Sequence, residues 1–190
     1  MTFQAEYEAR CLENSDIKDH LPFLFEQAAG KQVIELGVRG GNSTAAFLAA
    51  VEKHGGHVWS VDIEWPHVPE TWGDSDLWEF ILGDDLTVDW LLPNEVDIVF
   101  VDTSHTFAQT FQELDTYAPK LRPGGVFLLH DVELERPDAS PHDDPPYPVK
   151  AAVEQWSFAY GWAVEYRTGC WGLAVIHKPA EGDLTEDCGA

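Results

Sequence analysis

The sequence has few basic residues and few cysteines. Only 11 lysines and arginines stand against 34 aspartates and glutamates among 190 residues, so the formal net charge is −23. Because a field this negative repels phosphate backbones and anionic lipid surfaces, we expect no nucleic-acid partner and no membrane partner. The 3 cysteines are scattered along the chain. That number excludes a disulfide framework and a zinc cluster, and it predicts a reducing, cytoplasmic location.

Long apolar runs are also missing. No stretch approaches the ~18 residues of a membrane span, and the N-terminus shows no basic and apolar signal region. Hydrophobic residues nevertheless make up 44% of the chain, which is enough for a folded core. We predict a single domain over residues 1–178, followed by a flexible acidic tail over 179–190.

Short apolar runs alternate with amphipathic stretches, the pattern of an α/β fold with a mostly parallel sheet. The predicted strands cover residues 32–36, 57–62, 79–82, 96–101, 125–130, 162–167 and 172–177. The predicted helices cover residues 17–29, 43–54, 106–120 and 149–160. The last two strands lie close together on either side of Gly169, which predicts an antiparallel hairpin.

A proline-rich segment fits none of these elements. Residues 133–148 contain five prolines and no core pattern. A stretch of this length inside a domain is typical of a lid or a binding loop, and a plain flexible insert is the alternative.

A glycine turn joins the first predicted strand to the next helix in the sequence VIELGVRGGNST, residues 33–44. Its three glycines allow a tight turn and the close approach of a ligand. Either Ser43 or Thr44 can cap the helix. The turn is not a P-loop, because no lysine follows the glycines. It also lacks the Gly-x-Gly-x-x-Gly spacing of a dinucleotide fingerprint.

The acid in this turn narrows the class of ligand. Glu35, two residues before Gly37, would repel a pyrophosphate but could accept a hydrogen bond from an ammonium group. The free N–H groups at a helix start favour a carboxylate. The turn therefore fits a ligand with both groups, that is, an amino acid.

Further acids follow the next two strands. Asp62 ends the second strand, where an acid can accept both hydroxyls of a ribose. Asp84 and Asp85 follow the third strand and could present an acid to an adenine amino group.

Together these residues resemble the class I S-adenosylmethionine-dependent methyltransferases. The resemblance assigns Glu35, Gly37, Gly41 and Ser43 to the methionine moiety, Asp62 to the ribose, and Asp84 and Asp85 to adenine. It implies a Rossmann-like, doubly wound sheet of seven strands in the order 3-2-1-4-5-7-6, with strand 7 antiparallel and helices on both faces.

Residues 101–132, 148–156 and 170–176 resemble a narrower group. That group includes sugar and macrolide-sugar O-methyltransferases and the so-called cephalosporin hydroxylases. Its segment after strand four commonly reads Asp-Gly-Asp-His. Here Asp102 and His105 keep the outer positions, while Thr103 and Ser104 replace the inner two. The pair His130-Asp131 follows strand five, as in that group.

Asp102 and Asp131 are predicted to end neighbouring strands and to face the sulfonium end of the cofactor. Two carboxylates there could hold Mg²⁺ or another divalent cation and lower the pKa of a hydroxyl. Methyl transfer with and without a metal remain two open alternatives. His105 and His130 are the candidate general bases, because histidine titrates near neutrality. Asp102 is thus assigned to the cofactor, to catalysis and to the metal.

The leading prediction is therefore S-adenosylmethionine-dependent methylation of a small-molecule hydroxyl, on a sugar or a polyol. One alternative is N-methylation or methylation of a macromolecule. The motif Asp-Pro-Pro-Tyr at residues 144–147 is typical of amino methylation, but it follows strand five here and we interpret it as coincidental. Another alternative is a non-catalytic, acidic binding module or mimic on the same fold. The sequence leaves homo-oligomerisation open.

Overall fold

The computed structural model describes residues 2–136 and 144–182. The middle of the predicted loop, residues 137–143, and most of the predicted tail, residues 183–190, lie outside the described residues. The strands are β1 (Lys31–Leu36), β2 (Gly56–Asp62), β3 (Trp78–Leu82), β4 (Val96–Val101), β5 (Leu121–His130), β6 (Ala163–Arg167) and β7 (Leu173–His177). The helices are α1 (Phe3–Leu12), α2 (Leu21–Ala28), α3 (Asn42–His54), α4 (Asp85–Val88), α5 (Phe107–Tyr117) and α6 (Pro148–Tyr160).

The seven strands form one sheet in the order β3-β2-β1-β4-β5-β7-β6. Strands β1 to β5 pair in parallel, and β7 runs antiparallel to both β5 and β6. This confirms the predicted fold, its strand order and its terminal hairpin. Parallel strands place their carboxyl ends at one edge of the sheet, so the turns that follow β1 to β5 come together there.

Helices cover both faces of the sheet, which explains why the central strands read as nearly continuous apolar runs. All six residues of β4 are buried. On one face, α2 and α3 pack on the sheet with residues such as Leu24 and Phe47, and α1 packs on α3. On the other face, α5 and α6 contribute Leu114 and Trp156 to a second apolar cluster. None of the described helices is long and apolar enough to cross a membrane.

The structure changes several features of the sequence prediction, and it adds the short helix α4, which was not predicted. Helix α1 was not predicted, and the helix predicted over 17–29 is shortened to Leu21–Ala28, with Pro22 in its first turn. Strand β5 begins at Leu121, so the Pro-Gly-Gly sequence at 123–125 lies within the strand and does not precede it. The pairing of β5 with β4 shifts register at this point, which accommodates the proline and the glycines.

Candidate active site

A cavity of about 630 Å³ opens at the carboxyl edge of the sheet. The turns after β1, β2, β3, β4 and β5 all contribute to its wall. The predicted site residues that line it are Gly37, Ser43, Asp62, Asp84, Asp85, Asp102, His105 and Asp131. Three other predicted site residues, Glu35, Gly41 and His130, are not among its lining residues.

Glu35 lies behind the cavity wall. Its side chain is fully buried and accepts hydrogen bonds from the hydroxyls of Ser43 (2.6 Å), Thr44 (2.8 Å) and Ser60 (2.6 Å). Burial raises the pKa of Glu35 to about 7, although the three hydroxyls act to lower it. The structure therefore does not place this carboxylate where the sequence predicted it, in contact with a ligand ammonium. It ties β1 to β2 and to the start of α3.

Two of the three glycines of the turn, Gly37 and Gly41, are required by contacts within the protein. Gly37 has a φ of +90°, and a Cβ there would overlap the backbone carbonyl of Asp102. Gly41 has a φ of +73°, and its Cβ would lie 2.5 Å from a methyl group of Val68. Gly41 is also the N-cap residue of α3, so neither Ser43 nor Thr44 caps the helix as predicted.

The strand-end acids support the turns that form the wall. One oxygen of Asp62, Oδ2, accepts hydrogen bonds from the backbone N–H groups of Val38 (2.8 Å) and Arg39 (3.0 Å). Asp62 therefore fixes the glycine turn. Asp84 caps α4 by accepting from the N–H of Leu86 at 3.0 Å. Because both acids also line the cavity, their predicted contacts with ribose and adenine remain predictions that the geometry permits.

Arg10 of α1 is a site residue that the sequence did not indicate. Its guanidinium donates to the carbonyl oxygen of Gly40 (2.7 Å) and to Oδ1 of Asn42 (2.8 Å), and both of these residues line the cavity. The same group lies 5.5 Å from the ring centre of Trp72. No local spacing connects residue 10 to residue 40, so only the packing of α1 reveals this contact.

Two aspartates and two histidines meet after β4 and β5. His105 Nε2 lies 3.1 Å from Asp102 Oδ1 and 2.8 Å from Asp131 Oδ2. His130 Nδ1 lies 3.2 Å from Asp131 Oδ1 and 3.5 Å from Asp102 Oδ1. His105 and Asp131 both adopt left-handed backbone conformations, with φ of +56° and +65°. Such conformations are rare outside glycine and cluster at functional sites.

The two carboxylates control the charge of the two histidines. Burial lowers the pKa of each histidine, but contacts with Asp102 and Asp131 outweigh burial and raise the pKa of His105 to about 9 and that of His130 to about 11. Burial opposes ionisation of the acids, yet the same contacts keep the pKa of Asp102 and of Asp131 below the ordinary value. At neutral pH the cluster therefore contains two imidazolium and two carboxylate groups.

The position of His130 argues against its predicted role as a general base. Its side chain is buried, and its Nε2 lies 2.8 Å from the carbonyl oxygen of Cys170. A carbonyl only accepts, so Nε2 carries a proton and Nδ1 is left to face the aspartates. The structure does not place His130 within reach of an acceptor in the cavity, whereas it places His105 there.

The cluster fits a divalent cation. Asp102, His105 and Asp131 each offer one ligand atom, and these atoms lie within 4.8 Å of one another. Asp131 Oδ1 and His130 Nδ1 are both buried and face each other at 3.2 Å, and among the described residues neither forms an aligned hydrogen bond. Two carboxylates are a suitable donor set for such an ion, and His105 would join them once its Nε2 loses its proton. The predicted pair of metal ligands, Asp102 and Asp131, therefore stays a prediction that the donor atoms support.

The described ends of the proline-rich segment lie beside this cluster. Asp144 Oδ1 accepts a hydrogen bond from the N–H of Phe107, at the start of α5, at 2.9 Å. Arg136 donates to the carbonyl oxygen of Ser104 at 3.2 Å. Both contacts flank His105.

Comparison with solved structures supports the fold. A protein from Corynebacterium glutamicum superposes with a TM-score of 0.66 at 20% identity, covering 95% of this chain and 91% of that one. MycE, a methyltransferase of mycinamycin biosynthesis solved with Mg and SAH, gives 0.64 at 18% identity and covers 91% of this chain. The present chain spans 52% of the length of MycE. The O-methyltransferase NovP gives 0.62 at 16% identity, covering 85% of this chain and 80% of that one.

No curated protein matches the sequence. Residues 34–132, just over half of the chain, match a family described as a methyltransferase domain. The match begins in β1 and ends just after Asp131, so it includes the glycine turn, the strand-end acids and the histidine–aspartate cluster. The predicted resemblance is thereby confirmed, and the chain belongs to the methyltransferase domain family, with the class I S-adenosylmethionine-dependent fold.

Proposed function

We propose that the protein transfers a methyl group from S-adenosylmethionine to a hydroxyl group of a small molecule, on a sugar or a polyol. The observation that carries this proposal is the composition of the cavity. One part of its wall holds the glycine turn, Asp62 and Asp84, and another part holds Asp102, His105 and Asp131. A single cavity thus combines residues suited to the cofactor with ionisable groups suited to the acceptor.

The chemical groups of S-adenosylmethionine suggest which residues would bind each part of it. The ribose hydroxyls would donate to Asp62, and the adenine amino group to Asp84. The methionine carboxylate would accept from N–H groups at the start of α3, close to Ser43. The sulfonium would lie near the carboxylates of Asp102 and Asp131, whose negative charge favours it.

At the acceptor end a hydroxyl must lose its proton as the new C–O bond forms. His105 lines the cavity and is held by two carboxylates, so it is our candidate for that proton. Because its pKa is about 9, it is protonated at neutral pH. A divalent cation held by Asp102 and Asp131 would lower the pKa of a bound hydroxyl and offset the charges that keep His105 protonated.

Two of the compared structures agree with this chemistry. MycE was solved with Mg, SAH and mycinamycin VI, a small-molecule partner. NovP is an O-methyltransferase. The alternative of amino methylation receives no support from the Asp-Pro-Pro-Tyr motif, because its acid, Asp144, already accepts the N–H of Phe107.

Calorimetric titration with S-adenosylmethionine and its demethylated product tests the cofactor. We expect binding by the wild type and a loss of at least tenfold, roughly 1.4 kcal/mol, in Asp62→Ala. Glu64→Ala, a change of an exposed neighbour, is the matched control and should bind normally. Absence of binding, or equal binding by Asp62→Ala, would refute the assignment.

Methyl transfer to panels of sugars, amines and oligonucleotides tests the acceptor, each with Mg²⁺ and with a chelator. Product formation only with hydroxyl acceptors would support the proposal. Transfer only to amines or to an oligonucleotide would refute it.

A further inference from the structure

Two buried acids lie side by side at the cavity wall, outside the histidine–aspartate cluster. Asp85 is the first residue of α4 and lines the cavity, while Glu113 lies in α5 and is fully buried. Their carboxyl groups adjoin, because Gln109 Nε2 lies within hydrogen-bond distance of both. The proposed reaction assigns no role to Glu113 or to its contact with Asp85.

The surrounding contacts leave one oxygen of each acid without a partner. Glu113 Oε1 accepts from the hydroxyl of Thr103 (2.6 Å) and from Nε2 of Gln109 (3.0 Å), and Gln109 Nε2 also lies 3.2 Å from Asp85 Oδ1. Asp85 Oδ2 and Glu113 Oε2 are buried, and no group among the described residues donates a hydrogen bond to either oxygen. Ionised carboxylates can only accept, so two of them in contact require a proton between them.

The groups around the pair do not supply a neutralising charge. Asp84 and Asp89 lie at the two ends of α4, and both raise the pKa of the Tyr117 phenol. The hydroxyl of Tyr117 donates a hydrogen bond to the backbone carbonyl oxygen of Asp85 at 2.8 Å. The ammonium group of Lys120 lies 4.0 Å from the carboxylate of Asp89. Burial is the main cause that raises the pKa of Asp85 to about 6 and that of Glu113 to about 8.

We propose that Glu113 is a positioning residue of the cofactor site, which shares one proton with Asp85 and thereby joins three residues of the cavity wall. These residues are Asp85, which follows β3, and Thr103 and Gln109, which both follow β4. The inference rests on the proposed function, because Asp85 belongs to the predicted adenine end.

The hydroxyl that reaches Glu113 is specific to this chain's version of the motif. Thr103 stands where the resembling methyltransferases commonly have glycine, and it follows Asp102 directly. A glycine has no hydroxyl to donate. Through Thr103, Glu113 connects the adenine end of the cavity to the turn that carries Asp102 and His105.

Loss of the shared proton would leave two facing anions that repel each other. The contact between α4 and α5 would then loosen, and with it the wall against which the cofactor binds. If the protein binds the cofactor only while the pair of acids holds its proton, the affinity for the cofactor falls by up to tenfold for each pH unit above the pKa of the pair.

The experiment measures the affinity for the demethylated cofactor between about pH 6.5 and 9.5 in the wild type and in three variants. Glu113→Gln replaces the shared proton by an amide N–H at every pH, so its affinity should fall less than that of the wild type as the pH rises through about 8, where Glu113 titrates. Glu113→Ala should bind weakly throughout. Glu154→Gln, an exposed glutamate on α6, should behave as the wild type.

Equal pH dependence in the wild type and Glu113→Gln would overturn the inference, because the titrating group would then lie elsewhere. A flat wild-type profile would also overturn it. In both cases the cofactor binds and the proposed function stands. Absence of binding in every protein would overturn the proposed function together with this inference. Urea unfolding of the ligand-free proteins provides a second measurement: because the pKa of Glu113 is raised from 4.5 to about 8, the wild type should lose more stability than Glu113→Gln as the pH rises through that range.

Discussion

Substitution of Gly37 by alanine tests whether the glycine turn is required by the protein or by its ligand. The sequence alone explains these glycines by the close approach of a ligand. The structure instead places Gly37 against the backbone of β4, where a Cβ would overlap the carbonyl oxygen of Asp102. We therefore expect Gly37→Ala to destabilise the protein without any ligand present.

Two costs add to give the expected magnitude. A left-handed conformation costs a non-glycine residue roughly 1–2 kcal/mol, and Gly37 has a φ of +90°. Relief of the overlap with Asp102 requires a backbone shift, which costs about 1–3 kcal/mol at a packed site. The sum is about 2–5 kcal/mol. In a chain of this size that corresponds to a fall in Tm of roughly 4–20 °C.

The assay is urea and thermal unfolding of ligand-free protein, followed by calorimetry with the demethylated cofactor. Gly40→Ala is the matched control, because Gly40 lines the same cavity and a Cβ there meets no atom within 4 Å. Gly40→Ala should unfold like the wild type, and any loss of affinity in it reports on the ligand alone. The reasoning is refuted if Gly37→Ala is as stable as Gly40→Ala.

Three further predictions concern residues that support the site. Arg10→Lys should lose about 1–3 kcal/mol of stability and weaken cofactor binding, since the lysine side chain is shorter and loses the planar contact with Trp72; unfolding and calorimetry measure this, and unchanged values would contradict it. The folded-state pKa of Glu35 is raised from 4.5 to about 7, so its stabilising contribution is complete below 4.5 and is lost as the pH rises through 7. Glu35→Gln should remove this part of the pH dependence of urea unfolding, and an unaltered slope would count against it. Asp144→Ala should cost about 0.5–2 kcal/mol by freeing the N–H of Phe107, whereas Asp144→Asn, which keeps an acceptor oxygen, should cost less.

Most of the fold could be predicted because its signals are local. An apolar run bounded by glycine, proline or acids marks a buried parallel strand wherever it occurs, as in Val96–Val101. Helix α1 escaped prediction because none of its residues is fully buried, so its sequence has no strong apolar face. The sequence Pro-Gly-Gly was interpreted as a break because proline is rare inside strands, but a register shift admits it here.

The candidate site could be predicted only in part. Gly37, Asp62, Asp84 and Asp102 stand at strand ends, and parallel strands bring their carboxyl ends to one edge whatever the details of packing. How deeply a side chain is buried behind that edge cannot be predicted from the neighbouring sequence. His130 is buried with its Nε2 on a carbonyl of the β6–β7 turn, a partner 40 residues away in the chain.

The sequence by itself determined most of the strands by their periodicity, and its short motifs carried the family resemblance, which implied the strand order and the set of acids at the edge of the sheet. Only the tertiary structure decided which of those acids face the cavity and which lie behind its wall. It also decided that Arg10 supports the glycine turn and that Glu113 meets Asp85. The reason is physical: burial and hydrogen bonding between distant segments set the charge and the accessibility of each group, and neither property is encoded at a single position.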